Sequence, residues 1–131
     1  MVHIKDSILA AYIISNFFNI NNDIINQAIK SFNLPKGRGN IINYNDYTMI
    51  DDSYNANPSS VRLAIKRINS IQNNGKKILI LGDMLELGKS SIKEHKKISD
   101  EINNSTIDAV ITYGELTINT FKNISKSKYS K

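Results

Sequence analysis

Apolar residues recur along the chain in two rhythms. From residue 6 to residue 18 they fall at Ile8, Leu9, Ala11, Ile13, Ile14, Phe17 and Phe18. That spacing predicts a helix buried on most of its circumference. Residues 19–22 interrupt it with asparagine. Asp23 then opens a second helical pattern, Ile24, Ile25, Ala28, Ile29 and Phe32, with an acid placed at the positive end of the helix dipole. The run Asn33-Leu34-Pro35-Lys36-Gly37-Arg38-Gly39 is the sharpest break in the chain. One proline and two glycines in so short a stretch stop helices and mark a linker, so a boundary is expected between residues 1–34 and 35–121.

Beyond the break the rhythm shortens. Strands are expected at 40–43 and 47–51, joined as a hairpin through Tyr44, Asn45 and Asp46. A helix should run from about 58 to 73, since Asn57 is a good N-cap, Pro58 suits the first turn and Asn74-Gly75 is a stop. Lys77 to Leu81 reads as a continuous apolar strand of the kind buried on both faces of a parallel sheet. A loop over 82–88, a helix near 90–104, a strand over 108–113 and a last helix over 115–124 complete the order. Strand and helix in alternation imply an α/β fold with a parallel sheet.

Composition narrows the picture. A chain of 131 residues with 40% hydrophobic and 22% charged residues can build one domain with a real core. No apolar run is long enough to span a bilayer, and Asp6 interrupts the start in a way no secretory signal does. With no cysteine there is no disulfide, thiolate metal site or cysteine nucleophile, which fits a cytoplasmic setting. The net charge of +5 owes most to Lys122, Lys126, Lys128 and Lys131; without these four, 13 basic residues face 12 acidic ones. Residues 122–131 read as a basic, disordered tail rather than a recognition face, and nucleic-acid binding is not expected.

Candidate chemistry lies where strands give way to helices. Met49-Ile50 runs into Asp51 and Asp52, then the polar turn Ser53-Tyr54-Asn55-Ala56-Asn57 and Pro58. In open α/β sheets, ligands sit at such edges because free helix N–H groups and the dipole favour anions. Two acids and two amides there could grip a ribose, a metal ion or a phosphate, although the same residues also make ordinary caps and turns. The loop Gly82-Asp83-Met84-Leu85-Glu86-Leu87-Gly88-Lys89-Ser90 comes close to a P-loop. It has one residue too many between its glycines, and Asp83 and Glu86 would repel a phosphate.

Taken together, Asp51-Asp52-Ser53-Tyr54-Asn55-Ala56-Asn57-Pro58 and the later Gly82-Asp83-Met84-x-Glu86-Leu87-Gly88 resemble two signatures of the Mur ligase family, in the family's order. Gly37-Arg38 resembles the Gly-Arg at that family's domain junction. His3, followed by Leu9-Ala10-Ala11, resembles the end of its central ATPase domain, with Ile4 and Ser7 standing where the family has asparagine. His95 falls where the family often has histidine, and on a helix flank it reads as structural.

The resemblance implies an α/β chain in two parts. An N-terminal helical segment from the central ATPase domain, residues 1–34, precedes an incomplete Rossmann-like parallel-sheet C-terminal domain, residues 35–121. It implies ATP and Mg²⁺ as cofactors, with UDP-N-acetylmuramoyl-tripeptide and D-alanyl-D-alanine as substrates of a peptidoglycan-precursor ligase. ATP would activate the tripeptide carboxylate as an acyl phosphate, which the dipeptide amine attacks. Matched residue by residue, Asp52 would bind the ribose hydroxyls, Asn55, Asn57 and His3 would lie near the nucleotide, and Arg38 near the phosphates. Asp83 and Glu86 would face the incoming dipeptide. No P-loop occurs in these residues, so a separate chain or domain would carry it, and this chain alone is expected to be inactive. The alternative is a non-catalytic remnant of a decayed or split ligase gene, or a docking module.

Overall fold

Pro35 and the glycines after it forbid a continuous helix, and the chain divides there into two compact units, between Pro35 and Lys36. The computed structural model describes residues 2–128, with side chains from Lys5 to Lys128. The first unit is a pair of helices, α1 (Val2–Phe17) and α2 (Asn22–Ser31). Asn21 caps α2 by accepting the Asp23 N–H at 2.7 Å, which satisfies one orphan donor of its first turn. Ile25 is buried, but Leu9, Ile13, Ile14 and Phe18 are exposed, and Phe17 is 80% exposed. The expectation of a first helix buried on most sides is therefore not met. One neighbouring helix cannot cover a side-chain stripe that runs most of the way round.

In the second unit β1 (Asn40–Asn43) and β2 (Thr48–Asp51) form the antiparallel hairpin, with Asn40 opposite Asp51. Helix α3 (Pro58–Ser70) follows. It stops three residues before the predicted end, because Ile71 is already extended. Then come β3 (Ile78–Gly82), a 3₁₀ turn (Gly88–Ser90), α4 (Ser91–Asn103), β4 (Ala109–Tyr113), the short α5 (Ile118–Phe121) and a closing 3₁₀ turn (Lys126–Lys128). Strands β3 and β4 pair in parallel, Ile78 with Ala109 through Gly82 with Tyr113. The fold is α/β, with two separate two-stranded sheets among the described residues.

The core gathers Val61 and Ile65 of α3, Leu79 and Leu81 of β3, Ile98 and Ile102 of α4, Val110 of β4, and Met84, Ile107 and Ile124. Each fully buried isoleucine contributes about 1.5–3 kcal/mol relative to exposure. Arg62 of α3 reaches Glu94 at 3.1 Å and Glu101 at 3.4 Å on α4, tying the two helices together. Strand β3 departs from the expectation of burial on both faces. Leu81 is 3% exposed, whereas Ile80 is 72% exposed and Ile78, Ile111 and Tyr113 are exposed beside it. The alternation is that of a sheet with helices on one side only.

The basic tail is also corrected over residues 122–128. Ile124 is buried in the core, and Lys128 Nζ donates to the carbonyls of Ser105 and Ile107, both at 2.8 Å. Asn103 holds the same stretch by accepting the Ser125 N–H and donating to the Asn123 carbonyl. One apolar residue among the lysines is enough to anchor the segment.

Candidate functional site

The β1–β2 hairpin brings its two flanks together. Gly39 N–H donates to the Asp51 carbonyl at 2.8 Å, and Tyr54 N–H donates to the Gly37 carbonyl at 3.1 Å. Gly37 sits at φ +74°, and a Cβ there would meet Tyr54 N at 2.9 Å, so only glycine allows this approach. Between the two glycines, the Arg38 guanidinium lies over the Tyr54 ring, 4.0 Å from its centroid. Tyr54 belongs to the motif read above, yet its stacking role was missed. The signal was available: an aromatic just beyond one arm of a hairpin and an arginine just before the other.

The two acids differ. Asp51 Oδ1 accepts from the Ser53 hydroxyl at 2.6 Å and from the Ser53 N–H at 3.2 Å. Those bonds, side chain first, together with the charge of Lys36, hold Asp51 below the usual carboxylate range. Asp52 is exposed and no hydrogen bond or ion pair engages it among the described residues, so its carboxylate is the one open to a ligand. Asn55 is exposed as well.

Asn57 is committed. Its Oδ1 accepts from the N–H groups of Ser59 and Ser60, both at 3.0 Å, while Ser60 Oγ takes the Asn57 N–H at 3.1 Å. This reciprocal capping box, together with Val61 N–H bonding to the Asn57 carbonyl, uses the donors of the first turn of α3. The idea that this helix end offers free N–H groups to an anion fails for that reason. Only the amide nitrogen of Asn57 is left for another partner.

Asp83 and Glu86 lie on the loop after β3, and no hydrogen bond or ion pair joins them to Arg38, Asp52 or Asn55 among the described residues. Asp83 Oδ1 accepts from the N–H groups of Leu116 at 3.0 Å and Thr117 at 2.8 Å. Burial alone would raise its pKa, but those N–H bonds outweigh it and keep Asp83 below the usual range. Glu86 is exposed at φ +61°. The side chain of His3 falls outside the described residues. No group of three or more His, Cys, Asp or Glu is arranged to hold a metal ion among the described residues, and no helix there is long and apolar enough to cross a membrane.

A Mur ligase, glutamate ligase domain matches residues 37–127. The chain belongs to the Mur ligase family. The UDP-N-acetylmuramoyl-tripeptide–D-alanyl-D-alanine ligase of Buchnera aphidicola subsp. Baizongia pistaciae is 41% identical over 116 residues, 88% of this chain and 25% of that protein. The ligase of the same name from Bacillus subtilis is 46% identical over 69 residues, 53% of this chain and 15% of its own length. Among solved structures, MurF from Acinetobacter baumannii superposes with a TM-score of 0.83 at 29% identity, covering 97% of this chain and 28% of that one. MurF ligase from Thermotoga maritima, solved in complex with ADP, gives 0.71 at 25% identity over 89% of this chain and 26% of its own. This Mur ligase chain thus spans about a quarter, or less, of the proteins it resembles.

Proposed function

We propose that this chain is the part of an ATP-dependent amide ligase that carries the nucleotide-facing loops of its C-terminal domain. Residues 1–34 are the last helices of a central ATPase domain and residues 35–121 the first part of the C-terminal domain. The whole ligase joins D-alanyl-D-alanine to UDP-N-acetylmuramoyl-tripeptide in the cytoplasm. The observation that carries the reading is the junction of the Arg38 turn with the Asp51–Asn57 loop.

The donor set there fits the sugar and phosphate parts of a nucleotide. Asp52 offers an unengaged carboxylate, the partner two vicinal hydroxyls require. Arg38 offers a fork of N–H donors for phosphate oxygens, pre-oriented by Tyr54. Asn55 and the free amide nitrogen of Asn57 can add hydrogen bonds, and the family resemblance would add His3 as a nucleotide contact. ATP with Mg²⁺, when bound, would supply the phosphoryl group that activates the tripeptide carboxylate. The residues of this chain bind and orient; none of them cradles the γ-phosphate. That cradle, a P-loop, belongs to the remainder of the ligase or to a separate chain. Glu86 is the exposed acid on the side of the incoming dipeptide.

The test is reconstitution. This chain alone, given ATP, Mg²⁺ and both substrates, should release no ADP. Mixed with a chain carrying the P-loop domain of such a ligase, it should restore turnover, and Asp52→Asn and Arg38→Ala should each lower that turnover by about tenfold or more, the loss of one charged contact. Turnover by this chain alone, or reconstituted turnover indifferent to both variants, overturns the proposal.

A further inference from the structure

The loop over 82–88 is held from two sides by residues far apart in the chain. On one side His95 of α4, fully buried, takes the Met84 N–H on Nε2 at 3.1 Å, and its Nδ1 lies 2.9 Å from the Ser91 carbonyl. On the other side Asp83 takes the Leu116 and Thr117 N–H groups. A third contact closes the ring, since Thr120 Oγ1 of α5 donates to the carbonyl of His95 itself at 2.8 Å. Gly114, at φ +122°, leaves room for the Asp83 carboxylate where any side chain would overlap it. Met84, between the two anchors, is fully buried in the core.

We propose that His95 is a positioning residue, neutral and protonated on Nδ1, which with Asp83 latches the 82–88 loop so that Leu85 and Glu86 are presented outward in one conformation. The tautomer follows from the partners. A backbone N–H can only donate, so the Nε2 facing Met84 bears a lone pair; a carbonyl can only accept, so the Nδ1 facing Ser91 carries the proton. An imidazolium, or the other tautomer, would set N–H against N–H at Met84. Glu86 supplies a second indication. A non-glycine residue at φ +61° is strained and persists only where its surroundings over-determine it. The anchors at Asp83 and Met84 just before it, and Leu87 packed against the core just after it, do so. Asp83 thereby moves from a substrate contact to a partner in the latch, leaving Glu86 as the carboxylate the loop displays. The latch stands on geometry alone; only its value in orienting Glu86 toward a substrate rests on the ligase reading.

The first measurement is a long-range ¹H–¹⁵N correlation spectrum of the full chain at neutral pH. With two histidines in all, a His3→Gln variant assigns the signals. His95 should show protonated Nδ1 and bare Nε2; an Nε2–H tautomer or a doubly protonated ring overturns the proposal. The second is amide hydrogen exchange in two variants. In His95→Gln the side-chain oxygen replaces Nε2 and can still accept from Met84, whereas in His95→Asn the amide replaces only Nδ1. The Met84 amide should exchange about tenfold faster in His95→Asn than in His95→Gln, the equivalent of one buried hydrogen bond, with Ile98 and Ile102 slow in both. Equal Met84 rates overturn the latch, and neither measurement involves nucleotide, so its failure is separate from failure of the ligase reading.

Discussion

Gly114→Ala is the sharpest probe of how the β3 and β4 ends are joined. Two costs can be worked out. The backbone at φ +122° is glycine territory, and an alanine there costs about 1–2 kcal/mol. The new methyl would also overlap the Cγ and both oxygens of Asp83, so the carboxylate must swing away from Leu116 and Thr117. Thr117 is fully buried, and stranding its N–H together with the loss of both charged bonds adds about 2–3 kcal/mol. The single variant should therefore lose about 3–5 kcal/mol, a large share of the 5–15 kcal/mol typical of a domain. In an Asp83→Ala background the overlap vanishes, and the same substitution should cost only the backbone share of about 1–2 kcal/mol. Urea unfolding followed by far-ultraviolet circular dichroism on the four members of the cycle reads this directly. The double variant should be no less stable than Gly114→Ala alone. If the two costs simply add, Asp83 does not occupy the space over Gly114 and the latch is misdrawn.

Other outcomes follow from the same contacts. Asn57→Ala should destabilise by about 1 kcal/mol in urea unfolding through loss of the α3 cap, and Asn57→Asp, which keeps an acceptor, should lose far less. Asp51 and Asp83 both have depressed folded-state pKa values, so their contribution is complete above the unfolded value near ~4 and is lost as pH falls through the folded values. An acid titration of stability should accordingly be shallower in the Asp51→Asn and Asp83→Asn variants than in the parent chain, and an unchanged profile would count against both assignments. On β3, Leu81→Ala should cost about 2–5 kcal/mol, while Ile80→Thr on the open face should stay within about 0.5 kcal/mol. Comparable losses at the two positions would mean that the face is covered.

What could be read from the residues was mostly what is encoded locally. Asn57-Pro58 announces a capped helix start, the polar 44–46 stretch announces a turn, and both are found in place. The errors concern partners distant in sequence. The anchoring of Asp83 could not be read locally, because the N–H groups it accepts come from Leu116 and Thr117, 33 and 34 residues on. Ile124 is one apolar residue among lysines, and only the core it enters distinguishes it from tail. The apolar strand at 78–82 fails differently: its pattern calls for cover on two faces, and α3 and α4 supply one.

The candidate site was legible in parts that needed only to be combined. A hairpin with Asn40 opposite Asp51 must bring the residues just before β1 beside those just after β2, because antiparallel strands run back along each other. Arg38 lies two residues before Asn40 and Tyr54 three after Asp51. Once the hairpin is accepted their meeting is a matter of register, and Gly37 before Arg38 has a reason: it lets the backbone close on Tyr54 while the guanidinium reaches over its ring. The candidate motif and the hairpin that assembles it are thus one feature. A change of register here would separate Arg38 from Tyr54 as surely as deleting either, which makes β1 and β2 part of the candidate site.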